Sequence, residues 1–276
     1  MVTGAAGSIG APLSEAVLAA SPKTLTLVDN SEHGLQRLSE QLGSLPNGTE
    51  VRFVLGDVGD PEQLRSLFGP GAEIILHAAA YKDAPFLEQQ PLAAIRNNVI
   101  TTRRLFSAAE VHGAERFVLV STDKAVCPLG VMGATKRFAE LLLLASLSSR
   151  TQATVVRLVN VWGSRGSVIP RFAEQVSCGC PLTVTSREAT RYFIEPLEAV
   201  HLILDALELG RGGDILVPEV GPQVSIMDIA RELLGLEGRS GSVEQQIEIT
   251  GLRPGDKLQE QLFHDYECRE STGLAG

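Results

Sequence analysis

Thr122, Asp123 and Lys124 are three adjacent side chains that can donate, accept or relay protons. An acid beside a base can act on neighbouring atoms of one substrate if each holds the protonation state its task needs. The apolar run Arg116-Phe-Val-Leu-Val-Ser121 before them predicts a buried strand. A helix is expected to follow, with Phe138, Leu141, Leu142 and Ala145 at helical spacing. The trio therefore falls where a strand gives way to a loop. Ligands of open α/β sheets bind beyond the carboxyl ends of the strands. Met132 and Lys136, four apart, share one face of the helix. A lone Thr-Asp-Lys is also an ordinary polar, helix-capping loop, so the elements around it decide.

The first of these is Thr3-Gly-Ala-Ala-Gly-Ser-Ile-Gly10, which opens a helix through Leu13, Val17 and Leu18. Gly4 and Gly7 let backbone N–H groups approach a pyrophosphate, with Ser8 and Ile9 in the same turn, and Gly10 lets the helix pack on the strand. Leu25–Asp29 reads as a strand ending in an acid 19 residues after Gly10. A carboxylate there accepts from ribose hydroxyls and repels a 2′-phosphate, which favours NAD over NADP. Asp29 could otherwise belong to the cap of a helix over 31–42.

Further strands are expected at Val51–Leu55, Ile74–His77 and Ala153–Leu158. Asp57, followed by Val58, could reach an adenine edge or cap the helix near Pro61. The small residues Ala78, Ala79 and Ala80 allow a cofactor to approach a strand end. His77 reads as a packing residue. One long helix is expected over 91–112, where Asn97 and Asn98 are mediocre helix formers and could hydrogen-bond the active-site backbone instead. Alternating strands and helices predict an α/β, Rossmann-type, doubly wound parallel sheet over residues 1–158. Residues 159–276 predict a smaller mixed α/β substrate lobe, parts of which return to the main sheet. Its helices are expected at Arg171–Cys178, Pro196–Leu209 and Ile226–Leu234, the last capped by Ser225. Its short strands are expected at Leu182–Thr185, Asp214–Val217 and Ile247–Thr250. Its loops hold Arg165, Arg191 and Arg253, which suggests an anionic substrate such as a diphosphate.

The chain has 276 residues, 44% hydrophobic and 21% charged, with net charge −9 and no basic stripe, which argues against nucleic acid. No apolar run reaches the length of a membrane span. Cys127, Cys178, Cys180 and Cys268 lack zinc-ligand spacing and read as reduced thiols, so no metal is expected. Met1-Val2-Thr3 is only the tail of a first strand, so the chain is expected to begin inside a natural domain.

Taken together, these motifs resemble the extended short-chain dehydrogenase/reductases. More narrowly, the chain is similar to the UDP-N-acetylglucosamine 4,6-dehydratases of capsule, O-antigen and flagellin-glycan synthesis. The similarity runs nearly end to end, through Thr3–Gly10, His77–Lys82, Asn97–Val99, Ser121–Arg137, Gly163–Pro170, Thr190–Phe193 and Gly251–Lys257. It implies NAD(P)-dependent oxidation at sugar C4, loss of the C5 proton, departure of the C6 hydroxyl as water, and hydride return to C6. It assigns Asp123 as the acid at C6, Lys124 as the base at C5 and Thr122 as the partner of the C4 oxygen. Lys136 would bind the nicotinamide ribose and lower nearby pKa values. Lys82, Asn160, Ser164, Arg165, Val168, Arg191 and Arg253 would bind the UDP-sugar. A homo-oligomer is implied, in the cytoplasm or at its membrane face.

Three departures stand out. Met132 occupies the place of the superfamily's catalytic Tyr, and a thioether takes no proton; long membrane-anchored members share this Met. Cys127-Pro-Leu-Gly130 replaces Asn-Pro-Thr-Asn, and Asp83 replaces a His. The short first strand suits a piece of a longer chain. A Lys base must be neutral, so burial or Lys136 is expected to depress the pKa of Lys124. Two other readings stay open. One is an epimerase or reductase of the same superfamily; the other is a catalytically silent nucleotide-binding module.

Overall fold

A computed structural model describes residues 1–43, 48–69, 71–146, 150–236 and 243–273. The first part runs β1 (Val2–Thr3), α1 (Gly10–Ala19), β2 (Thr24–Asp29), α2 (Glu32–Leu42), β3 (Glu50–Leu55), α3 (Pro61–Phe68) and β4 (Ile74–His77). It continues with α4 (Ala84–Glu88), α5 (Pro91–Ala94), a π-helical turn (Ile95–Ile100), α6 (Thr101–Val111), β5 (Arg116–Thr122), α7 (Val131–Leu144) and β6 (Gln152–Leu158). The second part runs β7 (Asn160–Val161), α8 (Val168–Ser177), β8 (Leu182–Val184), β9 (Thr190–Arg191), β10 (Phe193–Ile194), α9 (Pro196–Leu209), β11 (Ile215–Leu216), β12 (Val224–Ser225), α10 (Ile226–Leu236) and β13 (Ile247–Ile249).

Seven strands form one sheet in the order β11-β6-β5-β4-β1-β2-β3, all parallel. The order reverses between β1 and β4, and a crevice opens there at the carboxyl ends. The strands read as apolar runs because both faces are covered. Leu27, Val118 and Val120 pack on one side with Leu13 of α1 and Val200 and Ile203 of α9. Val28, Phe117 and Leu119 pack on the other with Phe68, Phe106 and Leu143. Phe172, Leu182, Val184, Ile226 and Met227 form a separate small core in the second part.

The elements differ from expectation in three places. The helix expected over 91–112 is continuous from Pro91 to Val111, but it widens into a π-helical turn that carries Asn97 and Asn98. The helix expected from Arg171 starts at Val168, since Pro170 is tolerated in a first turn, where its missing N–H is not needed. On α7, Phe138 and Leu141 are exposed; the buried face carries Met132, Thr135, Lys136, Ala139, Glu140 and Leu143. Apolar spacing picked the wrong face there, because polar groups of the site occupy the inner one. In the second part, β11 pairs with β6 at the edge of the main sheet, and α9 packs on the face of that sheet.

Candidate functional site

The glycine turn links β1 to α1 beside the crevice. Gly4 has φ +66°, and a Cβ on it would lie 2.6 Å from the Ala79 nitrogen; one on Gly10 would overlap the Gly4 carbonyl. The Asp29 carboxylate ties this turn to α2, with Oδ2 accepting from Ala6 N and Oδ1 from Ser31 N, both at 2.9 Å. Ser31 itself caps α2. Each Asp29 oxygen keeps a lone pair for a ribose hydroxyl. Asp57 does not cap α3: Asp60 does, while Asp57 Oδ1 accepts from Gly59 N at 2.7 Å. Val58 is buried in the core, so only its backbone is available. Ala78, Ala79 and Ala80 follow β4 as half-buried small residues. This cradle fits a dinucleotide, because added side chains would fill it.

Buried polar groups brace the strand ends. His77 is fully buried between Thr3 Oγ1 (2.7 Å) and Thr102 Oγ1 (2.9 Å), and Thr102 in turn donates to the Asn98 carbonyl. Burial first, then Lys136, pushes the His77 pKa down to about 3, so the ring is neutral and structural. Asn98 accepts from Tyr81 N at 2.8 Å and donates to Tyr81 O at 2.9 Å and to Thr135 Oγ1 at 3.1 Å. Of the two candidate amides, Asn98 holds the site backbone, and Asn97 donates to Asn98.

The reacting trio follows β5. Asp123 is fully buried; its Oδ1 accepts from Thr122 Oγ1 at 3.0 Å and from Lys124 Nζ at 2.9 Å. Its Oδ2 is buried without a partner among the described residues. Lys124 Nζ also donates to Asn160 Oδ1 at 2.9 Å and lies 3.7 Å from Glu260 Oε1. Burial alone would lower the Lys124 pKa, but Asp123 and then Glu260 outweigh it and raise it. The expected depression is therefore overturned: Lys124 rests as an ammonium because two carboxylates face it. Lys136 is the depressed lysine, moved by burial to about 8, with Nζ donating to the Val120 carbonyl at 2.6 Å. Met132 is buried against Leu87 and Ala94 and lines a small cavity with Lys124, Arg191 and Glu260.

The three arginines expected in loops each bind different protein partners, and Arg191 lies on β9. Arg165 reaches the glycine turn, its guanidinium donating to the Ala6 carbonyl and its N–H to Ser8 Oγ. Lys82 is near enough for Arg165 to lower its pKa, after burial. Arg191 donates to the carbonyls of Thr190, Leu258 and Lys257, and Arg253 pairs with Asp256. Ser164 lines a cleft of about 280 Å³ with Arg165, Trp162 and Arg37; that cleft excludes Thr122, Asp123 and Lys124. Val168 packs on the small core. The unusual residues have structural partners: Asp83 caps α4, and Gly130 lies so close to Gly255 that a Cβ would sit 2.7 Å from its Cα. Sequence reasoning missed Glu260 and gave Lys257 no role. Lys257 ends the Gly251–Lys257 motif and Glu260 lies three residues beyond it, but spacing alone does not say that Glu260 folds near Lys124.

Fold and site define a Rossmann-type dinucleotide protein with an adjacent acid–base pair. The chain belongs to the polysaccharide biosynthesis protein family, whose model matches residues 1–275. It is 40% identical over 270 residues to "Probable polysaccharide biosynthesis protein EpsC" of Bacillus subtilis (strain 168), covering 97% of this chain and 45% of that one. The chain thus spans about half the length of such curated relatives. It is 33% identical over 284 residues to a "UDP-glucose 4-epimerase" of Rickettsia prowazekii (strain Madrid E), covering 100% of this chain and 80% of that one. Among solved structures, Pen from Bacillus thuringiensis superposes with a TM-score of 0.86 at 29% identity, covering 95% and 80%. MoeE5, solved with UDP-glucuronic acid and NAD, has a TM-score of 0.77 at 25% identity, covering 94% and 87%. Among the described residues, no helix is long and apolar enough to cross a membrane.

Proposed function

We propose that this chain is the catalytic part of a nucleotide-sugar 4,6-dehydratase acting on UDP-N-acetylglucosamine or a similar UDP-hexosamine with NAD. One observation carries the reading: Asp123 and Lys124 are paired at 2.9 Å, and the second Asp123 oxygen is buried and unpartnered. A buried acceptor without a partner is costly, and a sugar hydroxyl supplies the missing contact. The glycine turn, Asp29 and Lys136 would hold NAD, which when bound would supply the means to take a hydride from C4 and return it to C6. Thr122 receives the C4 hydroxyl proton and passes its own to Asp123 Oδ1. Asp123, now neutral, protonates the C6 hydroxyl, which leaves as water while Lys124 removes the C5 proton. Asn160 orients Lys124. Lys82 and Arg165 on one side and Arg191 and Arg253 on the other give a UDP diphosphate cationic partners, and Ser164 and Val168 flank it.

The epimerase reading is favoured by the Rickettsia relative's name. An epimerase needs no acid at C6, so the buried Asp123–Lys124 pair would be surplus. Incubation with UDP-N-acetylglucosamine and mass spectrometry of the sugar decides. A 4-keto-6-deoxy product with deuterium at C5 in deuterated water is expected. A C4- or C2-inverted sugar of unchanged mass would overturn the dehydratase in favour of the epimerase. Nucleotide binding without any product from an NAD-loaded, full-length protein would leave the silent module. Homo-oligomerisation belongs to the same proposal, supported by exposed Phe138 and Leu141 on α7. A monomer by sedimentation velocity would exclude it.

A further inference from the structure

The proposed reaction leaves one proton without a destination, and the structure offers a place for it. Two protons must leave the sugar before elimination ends: one from the C4 hydroxyl, one from C5. Asp123 takes the first. Lys124 must take the second, yet it rests as an ammonium, paired with Asp123 and facing Glu260. Met132 stands in the cavity as a group that accepts no proton. The site is therefore one acceptor short.

Glu260 is the second carboxylate that faces Lys124. It is 3% exposed, and Gln223 fixes its backbone, donating to its carbonyl at 3.0 Å and accepting from its N–H at 3.4 Å. Its Oε1 lies 3.7 Å from Lys124 Nζ and 3.8 Å from Arg191 Nε, and its Oε2 lies 3.2 Å from Lys257 Nζ. Despite that ion pair, Oε2 has no well-aligned hydrogen bond. Lys124 is faced by Asp123 beyond β5, Glu260 in the C-terminal segment, Arg191 on β9 and the neutral Asn160 on β7.

We infer that Glu260 is the proton-accepting partner of Lys124, a positioning residue that makes Lys124 a base and reaches the sugar only through it. This rests on the dehydratase reading. Once Asp123 is protonated from the C4 hydroxyl, Glu260 is the nearest anion left to Lys124. An incoming diphosphate gives Arg191 a competing anion, which loosens its hold on Glu260. An Nζ–H bond of Lys124 breaks and an O–H bond of Glu260 forms. Neutral Lys124 then takes the C5 proton, and Asp123 gives its proton to the departing C6 hydroxyl. When hydride reaches C6, Lys124 returns a proton to C5 and recovers its own from Glu260. The sum is one water lost, and the proton that left C4 departs in it. No proton has to be exchanged with solvent.

Glu260→Gln tests this in the full-length, NAD-loaded protein. At neutral pH, kcat for dehydration should fall about tenfold or more, with KM changed less than about threefold. The loss should recover with rising pH, about tenfold per unit, as solvent deprotonates Lys124 instead. The wild-type kcat should stay flat over that range, and Glu260→Asp should restore part of the rate. Because E260Q leaves Arg191 and Lys257 unbalanced, the E260Q/K257M pair serves as a charge-restored version and should behave alike. A wild-type kcat and pH profile in the variants would overturn the inference, as would a loss in KM alone or one that alkaline pH does not restore. Absence of dehydration by the wild type would instead sink the functional reading. The coupling is then judged without turnover, by trace acylation of Lys124 across pH with peptide mass spectrometry. E260Q should move its midpoint to lower pH, and an unmoved midpoint rejects the coupling whatever the protein turns over.

Discussion

Lys124 Nζ and Asp123 Oδ1 stand 2.9 Å apart, on residues adjacent in the chain, with the Asp123 carboxylate wholly buried. At that distance a proton donor and acceptor form one unit, and neither can be changed without altering the other's charge. Asp123→Asn and Lys124→Ala should each lower dehydration by about 10²–10⁴-fold, the usual worth of a positioned acid or base. Bound NAD, read by absorbance after denaturation, should stay near wild type, because neither side chain touches the glycine turn. Loss of NAD together with turnover would make the pair structural.

Met132 packs on Leu87 and Ala94 and is nearly buried. If it only fills space, Met132→Leu is a near volume-conserving change. It should cost less than about 1.5 kcal/mol in stability and change kcat by no more than about threefold. A hundredfold loss in a folded variant would show that the thioether itself contributes to the reaction.

The Asn98 side chain makes four hydrogen bonds from the π turn, two of them to the Tyr81 backbone. Asn98→Ala leaves the buried Thr135 hydroxyl and the partly buried Tyr81 backbone groups without this partner, at about 1–3 kcal/mol. A urea midpoint should register that loss. Since the Tyr81 loop leads to Lys82, KM for the UDP-sugar should rise as well. Unchanged stability would mean that water replaces the amide.

The C-terminal segment is tied to the sheet by charge. Arg157, 1% exposed, donates to both oxygens of Glu140 and both of Glu267. Burial would raise the Glu267 pKa, but Arg157 and the His264 N–H bring it down from 4.5 to about 2. A carboxyl depressed by folding stabilises fully above its unfolded pKa and loses that contribution as pH falls towards the folded one. Wild-type stability should therefore drop between about pH 5 and pH 2 by on the order of 3 kcal/mol from this group. Glu267→Gln, less stable at neutral pH, should lack that part of the slope in urea titrations. Parallel curves would exclude Glu267 as the titrating group.

Much of the frame was legible in the chain itself. Gly4, Gly7 and Gly10, the acid at the end of β2 and the β-branched runs each obey a local rule of turn or strand, and those rules place a dinucleotide at the sheet's carboxyl end. Adjacency alone also made Thr122, Asp123 and Lys124 a chemical unit. Other features depend on contacts between residues far apart. The polar inner face of α7 arises because Lys136 and Glu140 meet β5 and Arg157 there. Asn98 lies in a π-helical turn and binds the Tyr81 backbone, 17 residues away. The charge of Lys124 was the main reversal. Sequence supplied the lysine, but its protonation depends on the local field: the adjacent Asp123 gives the larger part, and Glu260, 136 positions later, adds a part that only the tertiary fold brings to 3.7 Å. The sequence by itself determined which groups could exchange protons, and the tertiary structure decided which of them hold a proton at rest, because electrostatic energy follows distance in space and not along the chain.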